Sequence, residues 1–239
     1  QKHYVQTKKD YQILWYYLKD SVILEDYDTF ERDQLEVGDD GFPLTAVERT
    51  PYQQLWIQWV GLQDLSYHFN DYAEEVEITL SILQERARKI FEIAKNSPVP
   101  MIDFPDNITA FTIGPKRFRQ YCAPLYNELS EILAERNIPV FSHMDGDLKP
   151  LWHDIAMTKL GGLDSFSPSP DNDTSVSDAV KMFPGKILYI NFPSSVHLRS
   201  YDEIRSEAEM ILKTASHTNR IQIQISENVP LNVWKESFR

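Results

Sequence analysis

Cysteine is almost missing from this chain: Cys122 stands alone among 239 residues. A lone thiol makes no intramolecular bridge, so a disulfide scaffold is excluded and a reducing, cytoplasmic compartment is expected. Glycine is scarce as well, with 8 residues, which argues against a mechanism built on a glycine-rich phosphate loop. No apolar run approaches the roughly 20 residues of a membrane-spanning helix. Basic residues are outnumbered, 24 against 36 acids, for a formal charge of −12. Such a chain repels nucleic-acid backbones and anionic lipid, so neither nucleic acid nor membrane is an expected partner. The one dense basic run, Lys116-Arg117-Phe118-Arg119, reads as a solvated helix face.

What is present is an ordinary globular balance, 42% apolar and 25% charged, long enough to bury a core without staples. Residues 1–43 read as an N-terminal segment of helix and loop, with Tyr11, Leu14, Trp15 and Leu18 at helical spacing and a turn at Asp39-Asp40-Gly41. From residue 44 to 239 the pattern is that of a barrel domain. Strands are expected at 44–48, 99–104, 138–141, 163–166, 186–190 and 220–225. Helices are expected at 51–59, 73–96, 115–136, 149–160, 176–182, 200–217 and from about 231. Short apolar strands between amphipathic helices mean parallel βαβ units. No dinucleotide-binding fingerprint follows any strand, so a (β/α)8 barrel is preferred to a doubly wound sheet. About six strands are visible where a closed barrel needs eight. With Gln1 rather than Met in first place, the expectation is an incomplete barrel whose first strands lie upstream.

In α/β proteins chemistry gathers beyond the carboxyl ends of the parallel strands. The polar groups ending these strands are Asp106-Asn107, His143-Met144-Asp145-Gly146, Asp164-Ser165, Asn191 and Ser226-Glu227-Asn228. His143 and Asp145 stand two apart, so in an extended segment they point the same way. An imidazole and a carboxylate so placed can share a cation, and Glu227 at the last strand can add an oxygen. That donor set suits Zn²⁺, Mn²⁺ or Fe²⁺. The plainer alternative is a His–Asp pair that only bonds within its own loop. His197 follows a strand and either faces the mouth or holds its loop. Cys122, among apolar helix neighbours, reads as an inert core thiol.

The stretch from Asp106 onward resembles the uroporphyrinogen decarboxylase superfamily. The resemblance rests on Asp106-Asn107, on the run from Ile113-Gly114-Pro115 to Pro124-Leu125-Tyr126, and on His143-Met144-Asp145-Gly146. It continues in Asp178-Ala179-Val180, Pro184-Gly185-Lys186, Asn191-Phe192 and Ser226-Glu227-Asn228-Val229-Pro230. It implies a (β/α)8 barrel with its active site at the C-terminal mouth, in a family of haem-pathway decarboxylases and corrinoid-dependent methyltransferases. The methyltransferases hold zinc through a His-x-Cys pair and a late Cys. Mapped by motif, these positions are His143, Asp145 and Glu227 here, so both thiolates are replaced by carboxylates.

Three readings follow from that resemblance. The first is a metal-dependent, methyltransferase-like enzyme acting on a small methylated or corrinoid-linked substrate, with a corrinoid protein as a partner. Its catalytic residues would be Asp106, Asp145 and His143, its metal ligands His143, Asp145 and Glu227, and its substrate-binding residues Asn107, Tyr126, Asn191 and His197. The second is uroporphyrinogen decarboxylation proper, without metal. The third is a non-catalytic relative that binds a ligand. A homodimer would cover exposed aromatics such as Trp15, Tyr16 and Tyr17.

Overall fold

The structure, a computed structural model, describes residues 2–225, 229 and 231–238, with Glu236 described by its backbone alone. The elements in chain order are α1 (Lys8–Asp20), α2 (Tyr27–Val37), α3 (Pro51–Gln54), α4 (Leu62–Asp71), α5 (Ala73–Asn96), β1 (Ile102–Phe104), α6 (Ala110–Arg117) and α7 (Ala123–Ala134). Then follow β2 (Val140–His143), α8 (Trp152–Ala156), β3 (Gly162–Phe166), α9 (Val176–Met182), β4 (Ile187–Asn191), α10 (Tyr201–Ala215), β5 (Ile221–Gln224) and α11 (Trp234–Ser237). The strands lie in one sheet in the order β1-β2-β3-β4-β5. β2 to β5 pair in parallel, each with the next. None of the described helices is long and apolar enough to cross a membrane.

The chain forms two compact units. The first comprises Gln1–Asp106 and Pro124–Val140. Its frame is α5, whose buried Val76, Leu80, Leu83, Ala87, Phe91 and Ala94 recur at three- and four-residue spacing. α1 packs on it through Tyr11, Leu14 and Leu18. A capping box of Thr7 and Asp10 starts α1. Trp15 Nε1 donates to Thr79 Oγ1 at 2.7 Å, and Lys8 pairs with Glu75 at 2.6 Å. Phe104 of β1 sits between Phe91 and Tyr126, with ring centroids at 6.0 and 5.0 Å.

The second unit comprises Asn107–Ala123 and Phe141–Arg239. Its helices are capped in the expected way: Ser175 accepts from Asp178 N–H at the start of α9, and Ser200 with Glu203 forms a capping box on α10. β3 is buried along its whole length, and Leu163, Phe166, Leu188 and Ile190 of β3 and β4 are fully buried.

The differences from the sequence reading have local causes. Segment 44–48 makes only a single parallel bridge, Ala46 to Asp103, so the described residues hold five strands rather than six. The helix expected over 115–136 begins at Ala110 and breaks at Gly114, whose φ of +65° only glycine adopts without strain. A π turn, Phe118–Cys122, then joins it to α7. The helix expected over 149–160 reduces to a 3-10 turn, Lys149–Leu151, and the short α8. α2 and α4 lack a long apolar stripe, and the sequence reading did not separate them from loop.

One buried cation makes a stability prediction. Lys186, only 4% exposed, donates through Nζ to the carbonyls of Thr158 (2.8 Å) and Leu160 (2.9 Å), with no carboxylate among its bonded partners. Burial pulls its ammonium down to about 8 from 10.5. A depressed lysine contributes stability that is complete above 10.5 and is lost as pH falls through about 8. Chemical denaturation of the wild type is therefore expected to show stability rising between these limits by on the order of 2–3 kcal/mol. In Lys186→Met that rise is expected to vanish.

Candidate functional site

The polar ends of β2 to β5 build one cluster within the second unit. His143 closes β2 and Asp164 lies opposite it in the parallel register of β3. Register thus brings together two side chains 21 residues apart: His143 Nδ1 lies 3.1 Å from Asp164 Oδ2. The other ring nitrogen, Nε2, faces Asp145 Oδ2 at 3.5 Å. Asn107 donates from Nδ2 to that same Asp145 oxygen at 3.0 Å. The imidazole is held from both sides by carboxylates.

A bulge sets the next layer. β3 and β4 pair at Leu163 with Leu188 and again at Phe166 with Ile190, so β3 carries one extra residue between these points. Ser165 absorbs it with φ of +50°. Bulges of this kind re-aim side chains next to sites. Here the bulge brings Asp164 and Ser165 within reach of Gln224 on β5, which donates from Nε2 to Asp164 Oδ1 at 3.3 Å and to Ser165 Oγ at 3.1 Å. Asn191, opposite Gln224 in the β4–β5 register, is fully buried; it donates to Ser165 O at 3.2 Å and Ser167 Oγ at 3.0 Å.

The charges reinforce one another. Burial alone would push the His143 ring down, but hydrogen bonds and charge from Asp145 and Asp164 outweigh it and carry the ring up to about 10. Burial would raise both carboxyls, yet the same contacts with His143 hold each below its ordinary range. Two anions thus converge on one cation, in a cluster where the histidine side chain is 23% exposed.

A glycine fixes the Asp145 loop. A Cβ at Gly146 would stand 2.8 Å from Thr109 Cα and closer still to its side chain. The loop therefore presses on the start of α6, and Gly146 N–H donates to Ile108 O at 3.2 Å. Gly146→Ala is expected to displace Asp145 from His143 and cost about 1–3 kcal/mol of stability. Thermal unfolding, with the pH titration of the His143 ring followed by NMR, checks both effects.

The other sequence-derived residues stand elsewhere. Asp106, at the end of the first unit, is fully buried. Its carboxylate accepts from Thr50 N–H at 2.7 Å, Thr50 Oγ1 at 2.9 Å and Tyr126 OH at 2.5 Å. Its carbonyl accepts from Gln53. Burial lifts its carboxyl to about 6, against the pull of these donors. Tyr126 is likewise buried. His197, 3% exposed, contacts Ser237 through Nδ1 and packs on Phe192 at 5.0 Å and Phe238 at 5.9 Å. Glu227 lies outside the described residues. Cys122 is buried and forms no disulfide, and Arg119 of the basic run pairs with Asp154 at 2.8 Å.

Sequence reasoning missed Gln224, which is uncharged and ends no motif. It noted Asp164 as a strand end but gave it no role. Among the described residues no three of His, Cys, Asp and Glu are arranged to hold a metal ion. His143 Nε2 and Asp145 Oδ2 nevertheless offer two facing donors. Asp164 stands behind the ring, where a metal-bound histidine usually finds a carboxylate. To that extent these residues fit a divalent ion.

Comparison with known proteins agrees with the architecture. No curated protein matches the chain. Among solved structures, a methyltransferase from Methanosarcina mazei superposes with a TM-score of 0.63 at 16% sequence identity, over 89% of this chain. The chain spans 61% of that protein's length, and at this identity the likeness is one of fold. The sequence model described as uroporphyrinogen decarboxylase (URO-D) matches residues 61–233, which takes in every strand described above. The α/β fold with its parallel sheet is therefore that of a partial barrel of this kind, and the chain belongs to the uroporphyrinogen decarboxylase (URO-D) family.

Proposed function

We propose that this chain carries the catalytic mouth of a barrel enzyme nearer to the methyltransferases than to the decarboxylases of its family. Its substrate would be a small methylated or corrinoid-linked compound, and a corrinoid protein its partner. The single observation behind this reading is the Asp145–His143–Asp164 cluster, one imidazole between two carboxylates at neighbouring strand ends.

In this reading His143 and Asp145 hold a divalent ion, zinc in the first instance, with Glu227 as the further ligand that the sequence motif names. Such an ion supplies Lewis acidity toward a substrate oxygen or sulfur. The protein's own groups do the rest. Asp164 accepts the Nδ1 proton and fixes the ring so that Nε2 faces the donor side. Asn107 orients Asp145, and Gln224 with Ser165 holds Asp164. Asp106 and Tyr126 serve as a buried brace for the loop at Thr50.

A second reading, metal-free decarboxylation, draws on the same ring. Hydrogen bonds to carboxylates at both nitrogens call for a proton on each, and an imidazolium can deliver one to a reacting carbon. The two readings separate in one assay. The full-length protein is incubated with a methylated corrinoid and a thiol, and in parallel with uroporphyrinogen. Demethylation of the corrinoid is the expected result. Coproporphyrinogen as product would overturn the first reading in favour of the second, and turnover of neither substrate would favour a ligand-binding relative.

A further inference from the structure

The first unit holds a cavity that the reading above does not use. It is a half-open groove of about 440 Å³ between the chain start, α1 and the π turn Leu55–Trp59. Three of its walls are aromatic. Trp59 is flanked by Tyr4 at 5.9 Å and Tyr17 at 5.8 Å between ring centroids, with interplanar angles of 53° and 59°. The rings are therefore tilted against one another rather than stacked flat. Val5, Ile13 and Leu14 complete the apolar lining, and Asp10 is the only carboxylate among the described lining residues.

The chemistry of that lining is specific. A purely apolar ligand has no use for a carboxylate, and an anion is repelled by both Asp10 and the electron-rich ring faces. Asp10 is held ionised: backbone and hydroxyl donors of Gln6 and Thr7 keep its carboxyl below the ordinary range. The charge of Lys2 adds a smaller pull in the same direction. Tilted aromatic faces around an anion are what a methylated ammonium group needs, since it is bulky, weakly hydrated and positive. The chain's charge of −12 favours the approach of a cation.

We propose that Tyr4, Tyr17 and Trp59, with Asp10, form a binding site for a small N-methylated ammonium compound. The site stands independently of the His143 cluster and of the reaction assigned to it.

The test uses the chain as it is, with choline as probe and 3,3-dimethylbutan-1-ol as its neutral counterpart of the same shape. Binding is followed by titration calorimetry and tryptophan fluorescence. Choline is expected to bind at least tenfold more tightly than the neutral alcohol. Tyr17→Ala, at a residue 57% exposed and thus harmless to folding, is expected to weaken choline about tenfold, and Trp59→Phe to weaken it less. Equal binding of the alcohol would reduce the cavity to an apolar groove and overturn the proposal. So would choline binding unchanged by Tyr17→Ala, or no choline binding at millimolar concentration.

Discussion

His143→Ala is expected to lower turnover by roughly 10²–10⁴-fold while the fold survives. The ring is the point on which both carboxylates converge, at 3.1 and 3.5 Å. Removing it deletes a donor to any bound ion and also the cation that Asp145 and Asp164 share. Two anions left facing one site repel, and one of them then takes a proton. Asp164→Asn acts more gently, because the ring remains but loses its orienting acceptor; a 10–100-fold loss is expected. Steady-state kinetics with circular dichroism as a folding check measure both. An alanine variant with undiminished turnover would remove His143 from the chemistry under either reading of the function.

The largest stability effect is expected at Asp106. Its carboxylate satisfies Thr50 N–H, Thr50 Oγ1 and Tyr126 OH in a fully buried position. Asp106→Leu strands these donors, at about 1–3 kcal/mol each, so a loss on the order of 4–6 kcal/mol is expected. Asp106→Asn retains an acceptor for Thr50 N–H, and both hydroxyls can rotate to accept from its amide. The carboxyl, raised to about 6 from 3.8, contributes stability that is complete below the lower value and is lost as pH rises through the upper one. Asparagine does not titrate. Its stability relative to wild type is therefore expected to improve between pH 4 and pH 7 by roughly 2–3 kcal/mol. Denaturant melts at the two pH values measure the difference. A leucine variant as stable as wild type would contradict the brace assigned to Asp106.

These residues also show what a sequence discloses. The pairing of His143 with Asp145 was legible because two residues apart in an extended segment share a face. Asp164 was not, because register between parallel strands depends on the whole sheet, and it is register that sets Asp164 opposite His143. The bulge at Ser165 left no signal, since nothing in Leu-Asp-Ser-Phe announces a left-handed serine. Gln224 became visible only when β5 was placed beside β4. Asp106 reads as a polar strand end, yet its partner Thr50 lies 56 residues upstream and gives no local hint that the carboxylate is enclosed. The alternation of strands and helices, by contrast, carried the fold. α9 is anticipated to the residue, whereas the reading slips at Gly114, at the shortened helix after Lys149, at segment 44–48 and at the weakly patterned α2 and α4.

A cation held at His143 Nε2 and Asp145 Oδ2 is what the proposed function requires. Calorimetric titration of chelator-treated protein with Zn²⁺, and separately with Mn²⁺, measures that directly. Uptake of one ion per chain is predicted for wild type, with uptake lost in His143→Ala and weakened 10–100-fold in Asp164→Asn. Wild-type protein that takes up neither ion, or an alanine variant that binds as well as wild type, would contradict it.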